Sequence, residues 1–409
     1  MVPNGWKLST IEEISSVSSG GTPSRKNSSY WNGNIPWVTT AEVQFKIIED
    51  TAEKITEEGL ANSSAKLFPV DTILMAMYGQ GKTRGQVAKL GIEASTNQAC
   101  AAIILKSEYY VDYYYQFLIS QYKNIREMSN SGGQENLSGG IVKSIQVPVP
   151  PLSEQKKIAQ ILSTWDKAIT TTEQLLANSQ QQKKALMQQL LTGKKRLLDK
   201  NGVRFSGDWN ALNLGEILSK VSNGVTYDAK NVEGLPVTRI ETISTGKVNF
   251  NKVGFAPDEE NTRRFKLHQG DILYSHINSL EHIGRVAYFN DARPLYHGMN
   301  LLLLRTGEKH DSLYIYYLLG SELGKKYAKS YAKSAVNQAS ISTTDVKAFR
   351  FLIPNLPEQQ KIAAVLSAAD QEISALQQKL DALKQEKKAL MQQLLTGKRR
   401  VKIDNKEVA

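Results

Sequence analysis

The sequence predicts an α+β protein: two mixed α/β domains joined by two long helices that pair as an antiparallel coiled coil. Three observations predict it. First, KKALMQQLLTGKKR from Lys183 and KKALMQQLLTGKRR from Lys387 differ only at Lys195 against Arg399, and LSEQKKIAQILS from Leu152 returns as LPEQQKIAAVLS from Leu356. Both pairs are 204 residues apart, so the stretch from Leu152 to Arg196 repeats without insertion or deletion. That period is too long for a solenoid and marks two large units joined by near-identical helices. Second, the units themselves repeat weakly. Trp6, Ile11, Glu13 and Ile14 match Trp209, Leu214, Glu216 and Ile217; Gln134 and Ser138 match Gln338 and Ser342. Third, apolar residues recur at three- and four-residue steps along both linking segments, the signature of a heptad seam.

The second linking segment carries Ile362, Val365, Ala369, Ile373, Leu376, Leu380, Leu383, Leu390 and Leu394, with a polar interruption near Lys387. Pro357 suits its first helical position and Gly397 its C-terminal cap. The first carries Ile158, Ile161, Trp165, Ile169, Leu176, Leu186 and Leu190, with Ser153 as the expected N-cap. Its middle, TTTEQLLANSQQQ, predicts a looser or more polar seam. A helix of about 39 residues is roughly 58 Å long and cannot bury its stripe alone. Its expected partner is the other copy, turned back antiparallel, with the domains related by a pseudo-twofold axis. The competing arrangement packs each helix on its own domain. The expected order is a domain over 1–152, a helix over 153–196, a domain over 197–355, a helix over 356–396 and a tail over 397–409. The tail GKRRVKIDNKEVA resembles GKKRLLDKNGVRF after the first helix and is expected near the N-terminus, closing a quasi-circular arrangement.

Within the domains, DTILMAM and QVAKLGI read as a hairpin, as do DILYSHI and RVAYFND. VDYYYQFLISQYKN and DSLYIYYLLGSELGKKYA read as helices whose aromatic residues belong to the core. Ala76 to Thr83 loosely fits a phosphate loop, but such a loop must open a helix, and here strand-like QVAKL follows. Better suited to DNA are the polar loop residues Tyr78, Gln80, Lys82, Thr83 and Arg84, and their counterparts His276, Asn278 and Arg285, together with Gln134 and Gln338.

Composition narrows the function. The chain has 409 residues, 51 basic against 40 acidic, and a net charge of +11, which fits a polyanionic partner. The single cysteine, Cys100, lies in the apolar run ACAAIIL and reads as a buried small residue; no internal disulfide can form, which suits a reducing cytoplasm. No apolar run approaches a bilayer's width. The five histidines lack metal-ligand spacing, no glycine-rich cofactor loop follows a first strand, and no catalytic constellation stands out.

These residues permit a family resemblance. LMQQLLTGK, occurring twice and preceded each time by an EQxxI helix start (PxxEQxxI in the first copy, with Asn355 in the proline's place in the second), resembles the specificity subunit of type I restriction–modification systems over essentially the whole chain. Gly21-Thr-Pro-Ser24, Trp31, Gly33 and Ile35-Pro-Trp37 are similar to the opening of that family's target-recognition domains. Asn223-Gly-Val-Thr-Tyr227 and Gly234 to Arg239 resemble another recognition subclass. The resemblance adds Thr22, Ser24, Arg25, Tyr227 and Arg239 as DNA-contact candidates. It implies a subunit that catalyses nothing and reads a bipartite, asymmetric site on double-stranded DNA, one half per domain. The helices would act as a ruler and, through residues such as Ile158, Trp165, Leu186, Leu190, Ile362, Leu376, Leu390 and Leu394, would form the frame on which partners dock. It implies two modification subunits carrying S-adenosylmethionine and two restriction subunits using ATP and Mg, with no cofactor in this chain and no membrane. The rival from another class is a coiled-coil scaffold that tethers two ligands without DNA preference.

Overall fold

The computed structural model describes residues 2–79, 81–128, 136–228, 230, 232–335 and 338–403, with the side chains of 334 and 335 outside the description. Candidate residues Gln80 and Gln134 lie outside it. The two linking segments are helices Leu152–Leu190 and Leu356–Leu394, 39 residues each. The chain divides into two compact units: unit one is Met1–Glu173 with Gln378–Ala409, and unit two is Gln174–Gln377. Each unit therefore contains one mixed α/β domain and a half of both long helices, rather than a domain followed by its own helix.

The helix boundaries differ slightly from the sequence reading. The first helix begins at Leu152, and the N–H groups of Glu154 and Gln155 donate to Pro151 O at 2.9 and 3.0 Å. Ser153 is thus inside the first turn and is not the cap. In the second helix Asn355 is the cap, taking the Glu358 N–H at 3.0 Å. Pro357 follows one residue into the helix, where its missing N–H has no intrahelical partner to lose. Both helices stop two residues short of Gly193 and Gly397, which turn left-handed at φ +70° and +71°. Without a Cβ, glycine takes that conformation at little cost.

Within each unit the helix halves run antiparallel. In unit one Lys387 Nζ lies 2.6 Å from Asp166 and Lys384 Nζ 2.7 Å from Glu173. In unit two Lys183 Nζ lies 2.6 Å from Asp370, and Ser179 donates to Glu372 at 3.1 Å. The polar interruption read at Lys387 is one of these pairs, and Lys183 is its repeat. Each aspartate also ties the helices to the domain: Gln116 donates to Asp166 at 2.6 Å and Tyr317 to Asp370 at 2.8 Å. The helix ends enter the domain cores. Ile158, Ala159, Leu162, Met391, Leu394 and Leu395 pack with Trp6, Ile11 and Tyr113; Leu190, Leu191, Ile362, Ala363 and Leu366 pack with Leu214, Tyr314 and Phe349. Trp165, Leu186, Leu376 and Leu390 are half-buried. Helix-on-helix and helix-on-domain packing thus coexist.

Both domains open with the same strand, short helix and strand. Thr10 and Asn213 cap Ile11–Ile14 and Leu214–Ile217 in capping boxes closed by Glu13 and Glu216. The first strand pairs antiparallel with the strand that enters the long helix: Lys7 faces Val149, and Asn210 faces Ile353. This pairing brings the two ends of each domain together at the helix start. The main sheet of unit one orders Ser15–Ser19, Cys100–Leu105, Ile73–Ala76, Val87–Leu90 and Ile47–Ile48. That of unit two orders Leu218–Asn223, Leu302–Thr306, Ile272–Tyr274 and Val286–Tyr288. Both expected hairpins form, with Ile73 opposite Lys89 and Ile272 opposite Tyr288. The strand Val87–Leu90 follows the phosphate-loop-like turn, so no helix N-terminus is offered to an anion there. Each expected domain helix is broken in two, Val111–Ser120 then Tyr122–Glu127, and Ser312–Gly320 then Glu322–Tyr331. Tyr113, Tyr114 and Tyr314 are fully buried. Cys100 is buried, and burial pushes its thiol up to about 12. Among the described residues no helix is long and apolar enough to cross a membrane.

At the start of each long helix one glutamate holds three segments together. Glu358, 1% exposed, accepts Arg196 through Nε at 2.5 Å and Nη2 at 2.7 Å, and Trp209 Nε1 at 3.3 Å. Glu154, 5% exposed, accepts Arg400 through Nε at 2.7 Å and through Nη2, and Trp6 Nε1 at 3.3 Å. Arg400 also donates to Asn4 O at 2.8 Å, which places the tail beside the N-terminal segment within unit one. The neighbouring glutamines repeat as well. Gln155 links Pro150 O to Tyr110 N, and Gln359 links Pro354 O to Asp311 N. A negative side chain in the first turn is also favoured by the helix dipole. Glu358→Ala should cost about 3–5 kcal/mol, because it strands a half-buried guanidinium, whereas Lys384→Ala, at a pair exposed on both sides, should cost about 1 kcal/mol or less. Denaturant unfolding of the two variants checks this; equal losses would contradict the assignment.

Candidate nucleic-acid interface

The sequence candidates fall mainly on the hairpin loop that leaves each central sheet. In unit one the loop runs from Met77 to Gln86. Gly85 N–H returns to Ala76 O at 2.8 Å, and Met77 O accepts Leu137 N–H at 2.9 Å. In unit two the corresponding loop runs from Ser275 to Arg285. Gly284 N–H returns to Ser275 O, and His276 O accepts Ile341 N–H, both at 2.8 Å. The same two bonds therefore pin both loops. In unit two the pinning extends into a small sheet: Ile277–Asn278 pairs with Gln338–Ser340, which pairs with Lys333–Ala335. Asn278 and Gln338, widely separated in sequence, are brought together in that sheet, and Gln338 is exposed.

Exposure divides the loop candidates. Tyr78 is 41% exposed, Lys82 is exposed and Thr83 half-buried. Arg84 is only 6% exposed and His276 8%, so neither can present its side chain at the surface as the sequence reading expected. Burial lowers His276 to about 4, leaving it neutral near pH 7 and unable to act as a cation toward phosphate. Arg285 is turned inward too: Nη1 donates to Ser244 O and Nη2 lies 2.9 Å from His282 Nδ1. A polar residue in a hairpin loop reads as exposed from sequence; here Arg84 and His276 are buried, and Arg285 ties its loop to Ser244.

The family-motif candidates form separate clusters. Arg25 is bidentate to Glu53 and lies over Trp31 at 3.7 Å and Trp37 at 5.1 Å. Its guanidinium is already engaged and holds the turn against the tryptophans. Ser24 supports the same turn, its carbonyl accepting Trp31 Nε1 at 3.1 Å, with its side chain exposed. Thr22 donates to Gln98 Oε1, and Gln98 lines a cavity of about 270 Å³ with Tyr78, Ser18, Ser19 and Lys143. Neither Gln98 nor Lys143 is marked as a site residue by its local sequence, since nothing there separates them from ordinary surface residues. In unit two Tyr227 and Arg239 meet over Gly254, where a Cβ would lie 2.9 Å from the tyrosine ring and 3.2 Å from Arg239 Cδ. The Tyr227 hydroxyl accepts Asn300 Nδ2 at 3.2 Å, and Arg239 pairs with Glu241 at 3.3 Å. Among the described residues no group of three histidine, cysteine or acidic side chains could hold a metal ion.

The two units thus share one loop architecture and carry different side chains on it. Comparison with known proteins agrees. The family model described as type I restriction modification DNA specificity domain matches twice, over residues 3–178 and 206–385. A Methanocaldococcus jannaschii protein described as the MjaX type I restriction enzyme specificity subunit is 43% identical over 172 residues, 41% of this chain and 40% of that protein. The MjaIX specificity subunit of the same organism is 33% identical over 41% of this chain and 39% of its own length. The chain therefore spans about two fifths of the length of these two relatives. The MjaVIII specificity subunit matches end to end, at 25% identity over 98% of this chain and 94% of its own. The fold matches the S subunit of a type I restriction–modification system from M. genitalium, with a TM-score of 0.62 over 97% of this chain and 98% of that one at 16% identity. With a matching domain in each half, this chain belongs to the type I restriction modification DNA specificity family.

Proposed function

We propose that this chain is the non-catalytic specificity subunit of a type I restriction–modification complex, reading a bipartite, asymmetric site on double-stranded DNA with one unit per half-site. One observation carries the reading. Two loops pinned by the same backbone bonds present unlike side chains, Tyr78 and Lys82 in unit one and Asn278 with Gln338 in unit two. Matched frames with unlike polar ends suit two unlike half-sites, because base edges are distinguished by the donors and acceptors offered to them. The net charge of +11 supports a duplex partner. Tyr78, Lys82, Thr83, Asn278 and Gln338 are the direct contacts, with Thr22, Ser24, Tyr227 and Arg239 at their flanks. Arg84, His276 and Arg285 position the loops, and Arg25 positions the turn at Ser24.

The paired helices set the gap between half-sites. They and the repeated junctions at Glu154 and Glu358 offer docking sites to two modification subunits, which supply S-adenosylmethionine and methylate adenine; two restriction subunits using ATP and Mg complete the complex in the cytoplasm.

Lys82→Ala should weaken binding to a duplex bearing the target by about 1–3 kcal/mol and narrow the gap between target and unrelated DNA. Unchanged affinity for both in fluorescence anisotropy would remove the loop from the interface. A second test addresses the helices. One turn inserted between Gln174 and Gln182, matched by one turn near Ala375, adds about 5.4 Å and should lengthen the gap by one to two base pairs while both half-sites stay the same. An unaltered gap would contradict the ruler.

A further inference from the structure

The loop of unit two borders a cavity of about 520 Å³, between residues 281–286 and the helices Ser312–Gly320 and Glu322–Tyr331. The internal repeat explains it. Gly85 and Gly284 occupy the same turn; Gly85 lies against Arg126, Ile125 and Tyr122, and Gly284 against Ala328. Matching the fully buried side chain of each helix pairs Ile125 with Ala328, and so Tyr122 with Lys325 and Arg126 with Lys329. Phe45 corresponds to Gly246: both are left-handed, at φ +52° and +76°, and both stand beside the same strand, at Val87 O and Val286 O. In unit one Phe45 and Tyr122 meet edge to face at 5.2 Å, Tyr122 donates its hydroxyl to Lys82 O, and Arg126 donates to that hydroxyl at 2.8 Å. Two aromatic rings fill the space. In unit two a glycine and a lysine stand in their places, and the space is open.

What lines it has a definite chemistry. Arg285, Lys325 and Lys329 face it together with the carboxylates Glu281 and Glu322. Lys325 lies 3.1 Å from Glu322 and, with Lys184 and Lys329 adding to the field, holds that carboxyl below its usual range. Cations outnumber acids here. Tyr316 and Val286 form an apolar flank. A cavity of this size exceeds a lone phosphate and falls in the range of small-ligand pockets, and a ring beside a cationic group is how single nucleotides are commonly held.

We propose that this cavity is a nucleotide-phosphate site, with Lys325 and Lys329 holding the phosphate of a nucleotide unit and Tyr316 and Val286 flanking its ring. The nucleotide comes either from the DNA held by unit two, in which case the site rests on the function proposed above, or from a free nucleotide. The test uses the full chain and two variants. K325Q/K329Q changes only exposed side chains, and G246F/K325Y copies the filling of unit one. Each is titrated with duplex DNA between about 50 and 200 mM salt by anisotropy, and with AMP by calorimetry, after thermal melting confirms folding. If DNA is the source, both variants bind target and unrelated duplex more weakly, and the slope of log K against log salt falls by about 0.9 for each phosphate no longer held. If a free nucleotide is the source, the wild-type chain binds AMP, both variants bind it at least about tenfold more weakly, and the duplex slope is unchanged. Wild-type behaviour of the variants in both titrations overturns the site. Should the wild-type chain bind no duplex, the DNA-specificity reading fails by itself, and the AMP titration alone decides the cavity: weaker binding in the variants supports it, and no AMP binding to the wild type overturns it.

Discussion

The buried carboxylates of Glu154 and Glu358 are the points on which the rest of the structure depends. Each joins the start of one long helix to an arginine that follows the end of the other and to a tryptophan that opens a domain. A buried carboxylate is tolerable only when its partners are complete, so the three segments must fold together or not at all. The same requirement explains which parts of the repeat stayed alike. The Pro-x-x-x-Glu-Gln helix start, the Gly-Lys-x-Arg end and the opening tryptophan supply the junction, and Lys183 and Lys387 supply the pairs with Asp370 and Asp166. The domains between these fixed points were free to diverge.

Divergence on a fixed frame is what a two-part reader needs. The hairpin loops return to their sheets through the same bonds, yet the material that braces them differs. Unit one seals its loop with Phe45, Tyr122 and Arg126, whereas unit two replaces the aromatic pair with Gly246 and Lys325 and gains a cationic cavity. Substitution at two corresponding positions changes an apolar plug into a charged recess without altering the strands around it. Loops tolerate such exchange because the sheet and helices beneath carry the stability.

Much of the architecture was legible in the sequence. Heptad spacing marked both long helices, and alternating apolar residues bounded by Gly marked both hairpins, because these signals are local and strongly periodic. Helix caps were less legible: Ser153 has the right side chain, but the Pro151 carbonyl, two residues earlier, already accepts the first helical N–H groups. The junctions were hidden for a different reason. Glu154 and Arg400 are 246 residues apart, and no local pattern marks them as partners. The site was read least well where polarity was taken for exposure. Arg84, His276 and Arg285 occupy loops but are turned into the fold, since a loop packed against neighbouring segments buries polar side chains that the local sequence marks as surface. The exposed candidates Tyr78 and Lys82 lie on the hairpin loop, and Gln338 lies on the strand that pairs with Ile277–Asn278.

The central claim is that two unlike readers sit on one frame. It is tested most directly by mapping adenine methylation across the genome of cells carrying a cognate modification gene, with and without this chain. The account predicts a new motif that appears only with the chain, has two unlike halves separated by a fixed gap, and is methylated on both strands. A methylation pattern that is the same with and without the chain, while the two proteins are soluble and associated, would contradict it.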